Sequence, residues 1–265
     1  MKKQYFLVTL AVLCSIMLLS LLPSISQAKE EISFKSKDGL RITADAYFEH
    51  NKNHPLIVLF HQAGWSRGEY LEIAPKLGKM GFNLLAVDLR SGNKVNGIIN
   101  KTAKSARNAG KSVTYLDAKQ DIESALINAR KRVGKKTKVI AWGSSYSAAL
   151  VLQIAGEKPE LVDAVLSFSP GEYFKRSGKP AHWVQQWAQL INVPVFISSA
   201  KNEKKRWLPI YNAIKSPVKK SFVPVSQGHH GSRALWEKYA DSGEYWKALR
   251  PFLALIRRGV STQNN

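Results

Sequence analysis

Two hydrophobic spacings alternate along the chain, and the alternation predicts the fold class. Short, solidly apolar runs suit strands buried on both faces of a sheet. They occur at residues 56–60, 82–87, 138–142, 161–168, 193–197 and 221–225. Most of the segments between them have helical spacing, as in the apolar face formed by Ala118, Ile122, Ala125 and Ala129. The order predicts an α/β protein with a mostly parallel central sheet and helices on both faces.

Two further segments complete the predicted architecture. Residues 32–35 and 40–46 alternate apolar and polar positions around a turn at Asp38-Gly39. This alternation predicts an antiparallel N-terminal β-hairpin at the edge of the sheet. Residues 91–113 are rich in Asn, Gly, Lys and Ala and match no regular element. We expect a loop or a small cap there, at the rim of the functional site.

The first 28 residues have the order of a secretory signal peptide. Lys2 and Lys3 precede an apolar run over residues 5–22, and Pro23 separates that run from the small-residue site Ser26-Gln27-Ala28. We expect cleavage after Ala28, leaving one domain over residues 29–265 with no transmembrane span and a periplasmic or secreted location. The alternative is an uncleaved anchor, because a bilayer takes roughly 20 apolar residues to cross.

Composition narrows the possible chemistry and partners. Cys14 is the only cysteine, so the mature chain has no thiol nucleophile, thiolate metal site or disulfide. The formal net charge is +21. Charge spread in this way is typical of a solvated basic surface, and the alternative is contact with an anionic polymer of the cell envelope. No nucleic-acid-binding motif accompanies the charge, so we expect no specific nucleic-acid partner.

The segment Gly143-Ser144-Ser145-Tyr146-Ser147 carries the candidate chemistry. It joins a predicted buried strand to a predicted buried helix and matches G-x-S-x-G with serine in the last place. The positions two before and two after the nucleophile crowd together in such a turn, so both must be small. Ser145 is therefore the predicted nucleophile. Ser144 is the alternative, but it lacks the Gly-x-Ser spacing.

On these residues the chain resembles an α/β hydrolase, close to the dienelactone-hydrolase-like and carboxylesterase branches, over residues 56–230. The resemblance implies the α/β-hydrolase fold and hydrolysis of a small ester through an acyl-enzyme on Ser145, with no cofactor or metal. The family order is nucleophile, acid, histidine. It points to His230 as the base, with His229 as its rival. Glu203, in a turn similar to the family's G-x-x-D, is the implied acid, and Glu172 is the alternative.

The turn after the first central strand resembles the family's His-Gly-x-x-Gly motif, with Gln62 in place of the first glycine. The resemblance implies an oxyanion hole made by the backbone N–H groups of Ala63 and Tyr146, with Gln62 as the next candidate. It implies structural roles for three further residues: His61 braces this loop, and Asp88 and Arg90 tie it down. Five aromatic residues either line a substrate pocket or belong to the core: Trp65, Tyr146, Phe174, Trp183 and Trp187.

Two other functions stay open. A catalytically weak protein on the same fold could bind an anionic envelope polymer through its basic surface. A serine peptidase or an acyltransferase would use the same nucleophile on a different acyl compound.

Overall fold

A computed structural model describes residues 29–258 of the chain. The predicted signal peptide at residues 1–28, including Cys14, lies outside the described residues. Within the described range, the helices are all too short or too polar to cross a membrane.

Eight strands form one sheet in the order β1-β2-β4-β3-β7-β8-β9-β10. Their bounds are β1 Glu30–Lys35, β2 Arg41–Tyr47, β3 Leu56–Phe60, β4 Asn83–Val87, β7 Val139–Ser144, β8 Ala164–Phe168, β9 Val195–Ser198 and β10 Lys219–Phe222. A separate two-stranded hairpin pairs β5 Lys94–Val95 with β6 Ile98–Ile99. Strand β2 runs antiparallel to both β1 and β4, and the pairs from β4 to β10 are parallel. The predicted fold class and edge hairpin are confirmed.

Helices cover both faces of this sheet. They are α1 Ile73–Gly78, α2 Lys101–Asn108, α3 Ala118–Arg132, α4 Tyr146–Glu157, α5 Trp183–Ala188, α6 Lys204–Ala213 and α7 Ser242–Arg258. Side chains alternate between the faces of a strand. In β3, Val58 and Phe60 therefore join an apolar cluster with α3 to α6, while Ile57 and Leu59 join another with α1 and α7. Burial on both faces explains the solid apolar runs of the central strands.

Residues 91–113 differ from the predicted irregular loop, because they contain the β5–β6 hairpin and helix α2. The strands are only two residues long, and α2 is mostly polar, so neither produces a clear apolar period. The side chain of Asn100 caps α2 by accepting the Ala103 N–H at 2.8 Å. The segment is thus an ordered part of the rim.

Other elements also depart from the predicted pattern. Helix α5 has no clear apolar period in the sequence, and a 3₁₀ turn, Ser232–Leu235, precedes α7. Strand β10 ends at Phe222 rather than continuing to residue 225. Pro224 has no N–H and cannot extend the ladder of hydrogen bonds.

Arg90 ties helix α3 to the N-terminal hairpin. Its buried guanidinium pairs with buried Asp121 of α3 at 2.7 Å and with Asp38 of the β1–β2 turn at 3.0 Å. The Arg90 side chain donates hydrogen bonds to both of these carboxylates. The expectation that Arg90 holds the loop after β3 is therefore wrong, because the guanidinium lies on the α3 side of β4.

Replacing Arg90 tests how much these ion pairs contribute to the stability of the fold. We expect Arg90→Leu to lower the free energy of unfolding by about 3–5 kcal/mol, because it leaves the buried carboxylate of Asp121 without its cation. Urea denaturation monitored by circular dichroism measures the change.

Arg132→Leu, in the same helix but exposed, is the matched control and should change stability by no more than about 0.5 kcal/mol. The double variant Arg90→Leu/Asp121→Leu should recover part of the loss, because it removes both buried charges. Equal stability of Arg90→Leu and the wild type would contradict this account.

Candidate active site

The turn between β7 and α4 has the geometry of a nucleophile elbow. Ser145 lies at φ 61° and ψ −121°, a strained conformation for a residue with a side chain. A Cβ on Gly143 would lie 2.4 Å from the Ser147 carbonyl oxygen and 2.5 Å from the Ala148 nitrogen. Only glycine fits at position 143. The crowding predicted from the motif is therefore present.

Serine fits at position 147 because its hydroxyl is used. It accepts the Ser144 N–H at 2.8 Å and donates to the Phe60 carbonyl, also at 2.8 Å. Phe60 is the last residue of β3, so this hydroxyl joins the elbow to the neighbouring strand. Serine in place of glycine at position 147 thus links the elbow after β7 to strand β3 by a hydrogen bond.

Two backbone N–H groups near Ser145 are candidate oxyanion donors. Tyr146 is the first residue of α4, where N–H groups have no acceptor within the helix. On the facing loop, the Gln62 N–H is already donated to the Glu69 carboxylate at 2.8 Å. Among the described residues, the Ala63 N–H has no protein acceptor. The geometry therefore leaves Ala63 rather than Gln62 open on this loop.

The predicted acid and base lie together. Nδ1 of His230 is 2.5 Å from Oε1 of Glu203. The other Glu203 oxygen accepts the Ser169 hydroxyl at 2.7 Å and the Ala200 N–H at 3.3 Å. Burial alone raises the pKa of Glu203, but its hydrogen bonds from His230 and Ser169 outweigh burial and lower the pKa. Glu203 is thus kept as a carboxylate facing the imidazole.

Ser169, directly after β8, joins this pair to the elbow. Its hydroxyl donates to Glu203 and accepts the Gly231 N–H at 2.8 Å. The carbonyl of the preceding residue, Phe168, accepts the Ser145 N–H at 2.7 Å. The three loops that carry the predicted nucleophile, acid and base therefore meet at the carboxyl end of β8.

The Ser145 side chain, 8 % exposed as a residue, lies beside the Tyr173 hydroxyl. Tyr173 donates its hydroxyl to the Ser169 carbonyl at 2.7 Å. Within the described part of the chain, the Ser145 hydroxyl makes no hydrogen bond with the imidazole of His230. Catalytic hydrogen bonds are often long in the absence of substrate and shorten in the complex.

His229 and Glu172, the alternative base and the alternative acid, have different surroundings from His230 and Glu203. The His229 ring stacks on Tyr239 with centroids 3.5 Å apart, and its Nε2 is 3.6 Å from Asp241. The Glu172 carboxylate accepts the N–H groups of Val184 and Gln185 at 2.8 and 2.9 Å. Glu172 therefore caps α5, and His229 faces another carboxylate.

His61 braces the loop that carries Ala63. Its Nε2 accepts the Leu89 N–H at 2.9 Å, and its Nδ1 lies 2.7 Å from the Gln62 carbonyl, to which it donates. Burial lowers the pKa of His61, so the ring stays neutral. Asp88 contributes nearby by pairing with Arg67 at 2.6 Å. Their expected structural roles agree with these contacts.

The five aromatic candidates pack mainly against protein. Trp65 stacks on Trp236 with centroids 5.3 Å apart. The Tyr146 ring is buried against Tyr115. The other three, Phe174, Trp183 and Trp187, belong to the apolar cluster around α4 to α6. The described residues include no group of three His, Cys, Asp or Glu side chains placed to hold a metal ion.

Three residues at the site were missed from the sequence: Glu69, Ser169 and Tyr173. Ser169 offered a signal, because it follows a central parallel strand, and functional residues collect at that edge of such sheets. Glu69 and Tyr173 offered none, because their contacts with the elbow, at Ser144 and Ser145, join positions far apart in sequence.

Comparisons with known proteins agree with this geometry. The profile of the dienelactone hydrolase family matches residues 43–225. An esterase from Pyrococcus furiosus superposes with a TM-score of 0.64 at 16% identity, over 85% of this chain and 93% of the esterase. Dienelactone hydrolase from Anabaena variabilis gives a TM-score of 0.61 at 14% identity, over 87% of this chain and 95% of its own. At these identities the likeness shows the α/β-hydrolase fold. Comparison with curated protein sequences gives no match.

Proposed function

The chain belongs to the dienelactone hydrolase family, and we propose that it is a serine hydrolase that cleaves carboxylic esters through an acyl-enzyme on Ser145. One observation supports this assignment above the others. The hydrogen-bonded pair of Glu203 and His230 is tied through Ser169 to the strand end that also holds Ser145.

The first half of the reaction forms the acyl-enzyme. Oγ of Ser145 attacks the ester carbonyl while Nε2 of His230 takes the hydroxyl proton. This step needs the Ser145 side chain to turn from Tyr173 towards the imidazole. Glu203, bonded to Nδ1, stabilises the resulting imidazolium. When the tetrahedral intermediate collapses, the C–O bond to the alcohol breaks, and His230 returns the proton to the leaving oxygen.

The second half releases the acid. His230 takes a proton from water, the water oxygen attacks the acyl carbonyl, and the ester bond to Ser145 breaks with return of the proton to Oγ. In both halves the negative oxygen is held by the N–H groups of Tyr146 and Ala63. The N-terminus of α4 adds its positive end at the same place.

The neighbourhood of Ser145 favours small ester substrates. The connection between β8 and β9 contains only a 3₁₀ turn and the six-residue helix α5, which leaves little chain for a large lid. Within this connection Tyr173 lies against Ser145. A bulky acyl chain would have to displace that ring before reaching the nucleophile.

The nucleophile is tested with an active-site probe. We expect Ser145→Ala to lose labelling by a fluorophosphonate and to lower p-nitrophenyl acetate turnover by on the order of 10⁴-fold or more, with an unchanged melting curve. Gel fluorescence and steady-state kinetics measure the two effects, and exposed Ser177→Ala is the matched control.

Full labelling of Ser145→Ala would exclude this residue. A wild-type protein that turns over no ester but binds an anionic polymer in a salt-sensitive manner would favour the binding function instead.

Neighbouring histidines provide a second matched pair. We expect His230→Asn to reduce kcat by at least about 10³-fold. His229→Asn should keep kcat within a few fold of the wild type, because its ring faces Tyr239 and Asp241. Single-turnover and steady-state assays on the same ester give both values, and the reverse result would exchange the two assignments.

We also propose that the protein is exported and that its signal peptide is removed after Ala28. The charged start, the apolar run and the small-residue site support this proposal. Intact-mass measurement of protein expressed in a bacterium with a secretory pathway should find a chain beginning at Lys29 in the periplasm or medium. A full-length chain held in the membrane fraction would contradict removal.

A further inference from the structure

Glu69 is a fully buried carboxylate close to the elbow that the proposed reaction does not use. It lies in a 3₁₀ turn, Arg67–Tyr70, after the loop that carries Ala63. A buried carboxylate is costly unless its oxygens receive hydrogen bonds. Its partners therefore indicate why the residue is there.

Both carboxylate oxygens of Glu69 receive a donor from the site. Oε1 accepts the Ser144 hydroxyl at 2.7 Å, and Oε2 accepts the Gln62 N–H at 2.8 Å. Ser144 precedes the nucleophile, and Gln62 precedes the candidate oxyanion donor Ala63. One side chain thus holds both halves of the candidate oxyanion hole.

The same contacts extend to the loop that carries the base. The Ser144 hydroxyl, while donating to Glu69, accepts the Ser232 N–H at 2.9 Å. Gly231 fits between His230 and this contact because a Cβ there would lie 2.5 Å from Ser144 Oγ. The histidine loop is therefore fixed to the elbow through Ser144.

The ionised carboxylate accepts from both donors of this arrangement, the Ser144 hydroxyl and the Gln62 N–H. The Gln62 N–H cannot turn to become an acceptor. If Glu69 were protonated, its O–H would donate to Ser144, and the Ser144 proton would lose its acceptor on Glu69. A glutamine, with one acceptor only, would direct its N–H₂ at Ser144 and leave the Ser144 proton in the same position.

We infer that Glu69 is a positioning residue for the proposed reaction, which in its ionised form holds the nucleophile elbow, the oxyanion loop and the histidine loop in register. This inference rests on the proposed function of Ser145 and His230. Since it concerns geometry around the oxyanion, it affects kcat more than KM.

The environment of Glu69 sets the pH range of the effect. Burial raises its pKa to about 7 from 4.5, although Ser144, Gln62, Arg233 and the Ser232 N–H all act to lower it. The other ionisable groups that face it are two buried tyrosines, Tyr70 and Tyr146. Both tyrosines stay neutral near pH 7, since burial raises the pKa of each.

Activity and stability should respond to this group in opposite directions. The fold favours protonated Glu69, so its contribution to stability is full below about pH 4.5 and is lost as pH rises through about 7. The ionised form, which accepts from both Ser144 and Gln62, appears over the same range, so positioning should improve there.

The test compares Glu69→Gln with the wild type on p-nitrophenyl acetate from about pH 5 to 9. In the wild type, protonation of Glu69 should steepen the loss of log(kcat/KM) as pH falls through about 7. In Glu69→Gln we expect this extra steepness to be absent, with kcat at about pH 8 lowered by about 10-fold to 100-fold and KM within about twofold.

Glu72→Gln is the matched control, because Glu72 is exposed and accepts only the Glu237 N–H. It should keep the wild-type slope and kcat. As pH rises over the same range, the melting temperature of Glu69→Gln should increase relative to that of the wild type, because only the wild type loses stability when Glu69 ionises.

Equal slopes in the wild type and Glu69→Gln, or wild-type kcat in Glu69→Gln, would overturn the inference. If Glu69→Gln does not fold, Ser144→Ala decides instead, since it should lower kcat by a similar factor and unchanged kcat would overturn the inference. Activity that survives in Ser145→Ala would sink the proposed function itself, so the two failures are distinguishable.

Discussion

The turn that holds Ser145 at φ 61° is strained, and the close packing of the residues around it keeps the backbone in that conformation. Gly143 permits the end of β7 to touch the start of α4, and Ser147 fastens that contact to β3. The turn places one hydroxyl at the edge of the sheet and points the first amides of α4 towards it. The other parts of the site are arranged around this fixed point.

Serine hydroxyl groups make most of the hydrogen bonds that join this turn to the other loops of the site. Ser144, Ser147 and Ser169 each accept an N–H from one segment and donate to an oxygen of another. A serine hydroxyl can do both at once, which makes it suited to buried positions where loops cross. Carboxylates complete the arrangement at two places, with Glu203 behind His230 and Glu69 behind the elbow.

The chain predicts its central architecture well, because burial on both faces leaves solid apolar runs in β3, β4, β7 and β8. The elbow was also predictable, since its sterics require small residues at fixed spacing around Ser145. Helix α2 and strands β5 and β6 were not, because short polar elements lack an apolar period. Glu69 could not be found, since its burial depends on Ser144 and Ser232, 75 and 163 positions away. The sequence leaves His229 and His230 as alternatives, because the carboxylate that each ring faces, Asp241 or Glu203, is set by the fold.

The contacts of Glu172 have a consequence for how the protein could change. By accepting the N–H groups of Val184 and Gln185, it joins the two ends of residues 172–185. Phe174, Trp183 and Val184 pack in the core, while most of residues 175–182 are exposed. The exposed stretch can therefore change in length without disturbing the strands on either side. Since Tyr173 lies at the joined end beside Ser145, such a change would alter the rim of the site while the triad residues stay where they are.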